Sequence, residues 1–374
     1  LESVRAFLTQ HKTPKNDIHI VITDAEEMGL LGAKAFVDAH PLAKNVGLVL
    51  NFEARGSGGP SYMLMETNGK NSKLLTEFLK AKPNYPAANS LMYSIYKMLP
   101  NDTDLTVFRE QGNINGFNFA FIGDHFDYHT AQDSFERLDR KTLLHQADYL
   151  MTTLNYFAFS DLSNLESSVD HVYTNFPFTR LLHYPFSWVL PLLIGAIFLL
   201  CIILFFGIAL NKITIKGILK GFTPFTFSFV ACVGISILLW KGILFIHPHY
   251  KDILHGFTYN GYEYIAAFTL LNLWLLFKIY KPFFKKFTGA DLVIAPTLFW
   301  LIINVLIFIY LKGAAYFIIP VYFVLITLAV YVFIDPKRTT KIILATVLSI
   351  PVLFIFAPQI KMFPVRLRLN NLYI

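Results

Sequence analysis

The sequence predicts two fold classes joined end to end: an α/β domain with a largely parallel central sheet flanked by helices, then an all-α polytopic membrane domain. Three observations carry this. Short β-type runs alternate with helical stretches over the first 160 residues. From Phe186 onward the chain is a succession of long apolar runs. Charge is scarce: 55% of the 374 residues are hydrophobic and only 15% charged, against about 25% in an ordinary soluble domain. A purely soluble enzyme, a disordered chain and a disulfide-rich secreted module are thereby excluded.

Residues 1–8 read as an amphipathic helix, with Leu1, Val4, Phe7 and Leu8 apolar, and not as a signal peptide. The chain starts at Leu1 rather than Met, so it reads as beginning inside a domain. Residues 17–24 alternate and are rich in β-branched side chains, which predicts a strand. A helix over 30–39 follows. Residues 46–52 are apolar enough for a central strand. The Gly-rich loop 56–60 leads to a short strand over 61–66. Helices are predicted over 71–82 and 88–98, and a strand over 117–122. Asp139 caps a last helix that runs to residue 157. Residues 160–176 are polar and read as a linker.

Six candidate spans follow at 186–210, 222–246, 262–280, 290–311, 314–334 and 341–360, each near the ~20 residues a bilayer requires. Cys201 and Cys232 lie inside these runs and read as small buried apolar residues, with no disulfide framework. The net charge of +7 raises nucleic acid as a partner, but the cations sit in loops between spans. Lys212, Lys216 and Lys220 follow the first span; Lys278, Lys281, Lys285 and Lys286 the third; Lys337, Arg338 and Lys341 the fifth. The alternate loops hold only Lys251 and Lys312. This is the positive-inside pattern. The partner it predicts is the lipid bilayer, with no nucleic acid, and the rich loops face the cytoplasm. The α/β domain then lies on the other side, in a periplasm or an organelle lumen. Lys361, Arg366 and Arg368 resist the pattern and read as the start of a further region.

Chemistry concentrates where strands end, the edge at which open α/β sheets form sites. Glu26 and Glu27 stand together between the first predicted strand and helix. Adjacent carboxylates repel, and one use for them is a metal site in which one ligates and its neighbour takes a proton. The plain alternative is a solvated pair in the first turn of a helix. Glu53 ends the next strand and needs a partner, either a metal or Arg55. His129 lies beyond the strand over 117–122; its rival His125 is four residues earlier. Glu27, Glu53 and His129 thus reach one edge of one sheet and suit Zn²⁺. Asp102 and Asp104, in Asn-Asp-Thr-Asp, read equally well as a helix cap.

Together, Glu26-Glu27-Met-Gly-Leu-Leu-Gly, Asn51-Phe-Glu53-Ala-Arg55-Gly, Asn101-Asp102-Thr-Asp104 and Tyr128-His129-Thr with Asp133 occur in order at family-like spacing. They resemble the di-zinc aminopeptidase family that includes aminopeptidase Y and glutamate carboxypeptidase. More narrowly they resemble its multi-span branch of endoplasmic reticulum metallopeptidases and vacuolar membrane proteases, which His40-Pro-Leu-Ala also fits. The resemblance covers residues 17–160. It implies that Glu26 is the general base, that Glu27, Glu53 and His129 are zinc ligands, and that Asp102, Asp104, Tyr128, Asp133 and Arg55 support them. It divides the chain into a partial zinc-peptidase domain (1–160), a linker (161–185), a membrane domain (186–360) and a tail (361–374). It also implies two zinc ions, held in part by an upstream His and a bridging Asp. Only 25 residues precede Glu26, and His11 and Asp17 do not sit in the expected motif, so the chain alone is expected to be inactive.

The function implied is a membrane-anchored zinc metallopeptidase, an exopeptidase of aminopeptidase type acting on peptide or protein substrates. A glutaminyl cyclase-like transferase on the same fold is the second reading. A degenerate peptidase domain on a membrane scaffold or transporter is the third. Transport needs intramembrane charge, and the spans are nearly charge-free apart from Lys241 towards one end of its run.

Overall fold

The computed structural model describes residues 1–98, 102–253 and 256–367. The chain divides into two compact units, one comprising residues 1–186 with 312–314, the other built on residues 187–311 and the helices after 314.

The first unit begins with α1 (Glu2–Leu8) and α2 (Leu31–Ala39), then β1 (Val49–Ala54) and β2 (Gly58–Glu66). Helices α3 (Ser72–Ala81), α4 (Ser90–Met98) and α5 (Asp104–Glu110) precede β3 (Gly116–Gly123), and α6 (Arg140–Phe157) follows it. The sheet order is β1-β3-β2. β1 and β3 run parallel, with Val49 opposite Gly116 and Ala54 opposite Phe121, whereas β2 is antiparallel to β3. The sheet is therefore small and mixed, within the α/β class expected. Its core is aromatic and sulfur-rich: Met63, Met65, Phe78, Phe117, Phe119 and Tyr149 are fully buried. Asp139 caps α6, accepting from the Lys141 amide at 2.9 Å.

Two expectations are corrected. Residues 17–24 form no strand. A strand exists only through a partner for its backbone groups, and β1 pairs with β3 alone among the described strands. Ile20 and Ile22 stay exposed in consequence. The segment read as a linker carries β4 (His171–Thr174) and β5 (Leu182–Pro185), an antiparallel hairpin. Leu165, Tyr173 and Leu181 enter the same core as the sheet, because the polar composition of 160–176 hides a few large apolar side chains at spaced positions.

The second unit contains α7 (Val189–Ala209), α8 (Ile215–Ile246), α9 (Gly261–Phe284), α10 (Gly289–Tyr310), α11 (Ile318–Ala329) and α12 (Arg338–Leu367). Among the described residues, six stretches, Phe186–Ala209, Ile215–Ile246, Gly261–Phe284, Gly289–Tyr310, Lys312–Ile334 and Arg338–Met362, are long and apolar enough to cross a membrane. Their outer surfaces are large and apolar (Phe198, Phe205, Leu238, Phe277), as lipid requires. Cys201 is exposed on that surface rather than buried. Two polar side chains inside the unit bond to backbone carbonyls: Tyr322 donates to the Leu192 carbonyl at 2.7 Å and Asn304 to the Trp300 carbonyl at 2.8 Å. Asp291, 2% exposed, holds two helix starts. It accepts from the Thr214 amide at 2.8 Å before α8 and from the Thr288 amide at 3.1 Å and hydroxyl at 2.9 Å before α10. α12 continues to Leu367, so residues 361–367 of the expected tail are helical; Asn101 and Arg368 lie outside the described residues, as does the side chain of Arg366.

Candidate metal centre

Glu26 and Glu27 lie in a tight turn before α2, not in the first turn of a helix. Its hydrogen bonds run from the Leu30 amide to the Glu26 carbonyl (2.7 Å) and from the Gly32 amide to the Asp24 carbonyl (3.0 Å). The glycines of the motif have separate reasons. Gly29 has φ +110°, which only glycine adopts without strain. Gly32 faces the Asp24 backbone, where a Cβ would come within 2.6 Å of both N and O.

β1 and β3 are parallel, so their carboxyl ends share one edge. Glu53 is the penultimate residue of β1. Beyond β3, the loop 124–139 returns across this edge and carries His129, itself at φ 55°. The imidazole Nε2 of His129 is 2.5 Å from Glu27 Oε1. Tyr128 stacks on His129, ring centroids 3.8 Å apart, with the Arg55 guanidinium 5.6 Å from the Tyr128 centroid. Burial, then the Glu27 carboxylate, pushes the Tyr128 phenol up. The loop is fixed from below by Asp127, which is fully buried and accepts from Ser57 Oγ at 2.5 Å and Arg137 Nε at 2.9 Å.

The electrostatics follow from crowding. Burial, then Glu27 and Asp104, raise the Glu26 carboxyl above its ordinary value. Burial, then Glu26, push Glu53 up to about 8. Asp104 accepts the Thr23 hydroxyl on one oxygen and leaves its other oxygen buried without a hydrogen-bond partner. Arg55 is the fixed cation acting on Glu26 and Glu53. Desolvated carboxylate in excess of cation is what a divalent ion relieves, and carboxylates with an imidazole are zinc donors. The residues therefore fit zinc in their chemistry.

Not every expected residue meets the others. Glu27 and His129 touch, and Glu26 and Glu53 act on each other electrostatically. Among the described residues, however, no three His, Cys, Asp or Glu side chains are gathered as a metal-holding group. Glu53 accepts instead from Asn51 Nδ2 at 3.3 Å. Asp102 and Asp133 are exposed. Thr103, between Asp102 and Asp104, is the cap of α5 and forms a capping box with Thr106. His125 is buried against the Arg55 carbonyl, 2.6 Å from its Nδ1. Ser57, Arg137 and Gln146 were not legible from spacing. Gln146 reaches from α6 to the carbonyls of Glu53 and Phe119 at 2.9 and 3.0 Å, tying β1 to β3 beneath the edge.

Residues 1–154 match peptidase family M28, in agreement with the resemblance carried by the motifs. Endoplasmic reticulum metallopeptidase 1 of Homo sapiens is 28% identical over 173 residues, 46% of this chain and 19% of that protein. A vacuolar membrane protease of Candida dubliniensis is 30% identical over 178 residues, 47% of this chain and 18% of its own length. Putative endoplasmic reticulum metallopeptidase 1-A of Caenorhabditis elegans is 32% identical over 139 residues, 36% and 15% of the two chains. The matched stretch thus spans less than a fifth of these relatives. No solved structure matches significantly.

Proposed function

We propose that this chain is part of a multi-pass membrane zinc metallopeptidase whose centre is built on Glu27, Glu53 and His129, with Glu26 as general base. The observation that carries the reading is the Glu27–His129 contact at 2.5 Å, in a domain that matches peptidase family M28. Glu27 is 63% exposed and His129 40% exposed, so both stay accessible to a substrate. Zinc, when bound, supplies a Lewis acid and lowers the pKa of the water it holds. Glu26, adjacent to Glu27 in sequence, would take up a proton from the attacking water on a carboxylate oxygen and give it to the departing amine. Its raised pKa suits a base that must also give the proton up. Arg55 limits the repulsion among Glu26 and Glu53, and Tyr128 fixes the plane of His129 by stacking.

The finer reading is an aminopeptidase-type exopeptidase, with the domain on the non-cytoplasmic side. Three recognised ligands serve one ion better than two, so the 374-residue chain is expected to hold at most one zinc and to turn over poorly. Metal analysis of the detergent-solubilised chain tests the assignment. Glu26→Gln should keep the zinc of the parent, whereas Glu27→Gln and His129→Ala should lose it. Any aminoacyl-amide hydrolysis by the parent should vanish in Glu26→Gln. Unchanged zinc in Glu27→Gln, or retained hydrolysis in Glu26→Gln, overturns the roles.

A further inference from the structure

The β4–β5 hairpin holds two histidines that the peptidase reading does not use. His183 pairs with Tyr173 and His171 with Pro185, so the two histidines are diagonal neighbours on one face of the ribbon. Their rings stack with centroids 5.2 Å apart and planes 24° from parallel. The Nδ1 atoms are 3.0 Å apart. Two nitrogens each about 2.0–2.1 Å from one ion, at adjacent corners of a tetrahedral or octahedral shell, are separated by about 2.9–3.4 Å. The observed spacing is that of an Nδ1–H···Nδ1 hydrogen bond and also falls within the range of a chelating pair.

The pair is also held in place. Asn71 donates to the His171 carbonyl at 3.0 Å and accepts from its amide at 2.7 Å. Ser90 Oγ donates to the Tyr173 carbonyl at 3.2 Å. The Phe186 amide donates to the Asp170 carbonyl at 2.8 Å, closing the far end of the hairpin. Val172, Tyr173 and Tyr184 are buried, so the backbone carrying both imidazoles is anchored in the core, while the imidazoles are half-buried. The neighbouring charges are Asp170, which accepts from the Asn71 amide at 3.1 Å, and Lys70, 3.3 Å from the same carboxylate. Asp170 is therefore already engaged, and the pair itself is the donor set.

We propose that His171 and His183 form a second metal site, a two-imidazole chelate for a divalent first-row ion of the Zn²⁺, Ni²⁺, Cu²⁺ group, with water completing the shell. In the metal-free pair one Nδ1–H donates to the other Nδ1. Binding moves that proton to the outer Nε2 of its own ring, so both Nδ1 lone pairs face the ion without net proton release. The ion then staples β4 to β5. The site shares no residue with the Glu27–His129 centre, and its test stands apart from the peptidase reading.

The test uses the whole chain in detergent, stripped with a chelator and titrated with Ni²⁺ and Cu²⁺. Equilibrium dialysis should find one fewer tightly bound Ni²⁺ in His171→Gln and in His183→Gln than in the parent. Glu27→Gln should leave that equivalent in place. Copper resonance at low loading should show hyperfine structure from two imidazole nitrogens, lost in either histidine variant. Protection mapping of the parent covers the case of a variant that fails to fold: Ni²⁺ should shield both histidines from carbethoxylation, read by mass spectrometry. Equal Ni²⁺ binding by parent and variants, or modification of His171 and His183 that is indifferent to metal, overturns the proposal.

Discussion

Glu53→Gln separates electrostatics from packing at the candidate centre. Burial and the Glu26 carboxylate hold the Glu53 pKa at about 8, so metal-free folded protein carries a proton at neutral pH that the unfolded chain releases near pH 4.3–4.5. A folded pKa raised above the unfolded one stabilises fully below the lower value, and that contribution is lost as pH rises through the higher. Between the two, stability falls with a limiting slope of about 1.4 kcal/mol per pH unit. Solvent reaches the partly buried carboxyl, so the loss between pH 5 and pH 7 should be about 2 kcal/mol rather than the full slope. Glutamine cannot titrate and has nearly the same shape. Glu53→Gln should therefore match the parent near pH 5, exceed it by about 2 kcal/mol at pH 7, and lose zinc. Urea denaturation of the chelator-stripped chain, followed by near-ultraviolet dichroism of the tyrosines around the sheet, gives the pH dependence. Calorimetry in buffers of different ionisation enthalpy should find about one proton released per zinc at pH 7 in the parent, and fewer in the variant. An identical pH slope in parent and Glu53→Gln would refute the argument.

Gly32→Ala places a methyl 2.6 Å from the Asp24 N and O atoms. It should cost about 1–3 kcal/mol and shift the Glu26–Glu27 turn, read as reduced zinc affinity. Asp291→Ala removes the acceptor for the Thr214 and Thr288 amides. Losing a cap and leaving buried donors unpaired should cost about 2–4 kcal/mol, visible as a lower thermal midpoint in detergent, with Asp291→Asn milder. A cysteine placed at Lys216 should react with an impermeant maleimide only after the membrane is opened, because the cation-rich loops are expected on the cytoplasmic side; labelling in sealed cells would reverse the orientation. Lys212 and Lys341 both clasp Asp335, whose carboxyl those two partners hold down at about 2, so an infrared pH titration compared with Asp335→Asn should find this carboxylate ionised from about pH 8 down to about pH 4.

What the sequence by itself determined is what depends on short-range pattern. The six apolar runs need no tertiary information, because a bilayer demands a continuous stretch of about 20 residues and nothing else supplies one. The helices over 72–81 and 140–157 and the strands over 49–54 and 116–123 were legible for a related reason: their periodicity and caps are local. The carboxylates and histidine of the candidate site stood out because Glu26, Glu27 and His129 lie outside regular elements and Glu53 lies near the carboxyl end of β1. Long-range pairing was decided only by the fold. Residues 17–24 have the composition of a strand, but a strand requires a partner, and composition says nothing about who provides it. The hairpin at 171–185 was hidden because its buried Tyr173, Leu181 and Tyr184 are diluted by polar neighbours; their burial depends on the sheet and α6, many residues away. The same holds for Asp127 with Ser57 and Arg137, and for Gln146 across β1 and β3. Those contacts span from 10 to more than 90 residues of sequence, and only closing those loops brings the partners within a hydrogen bond's length.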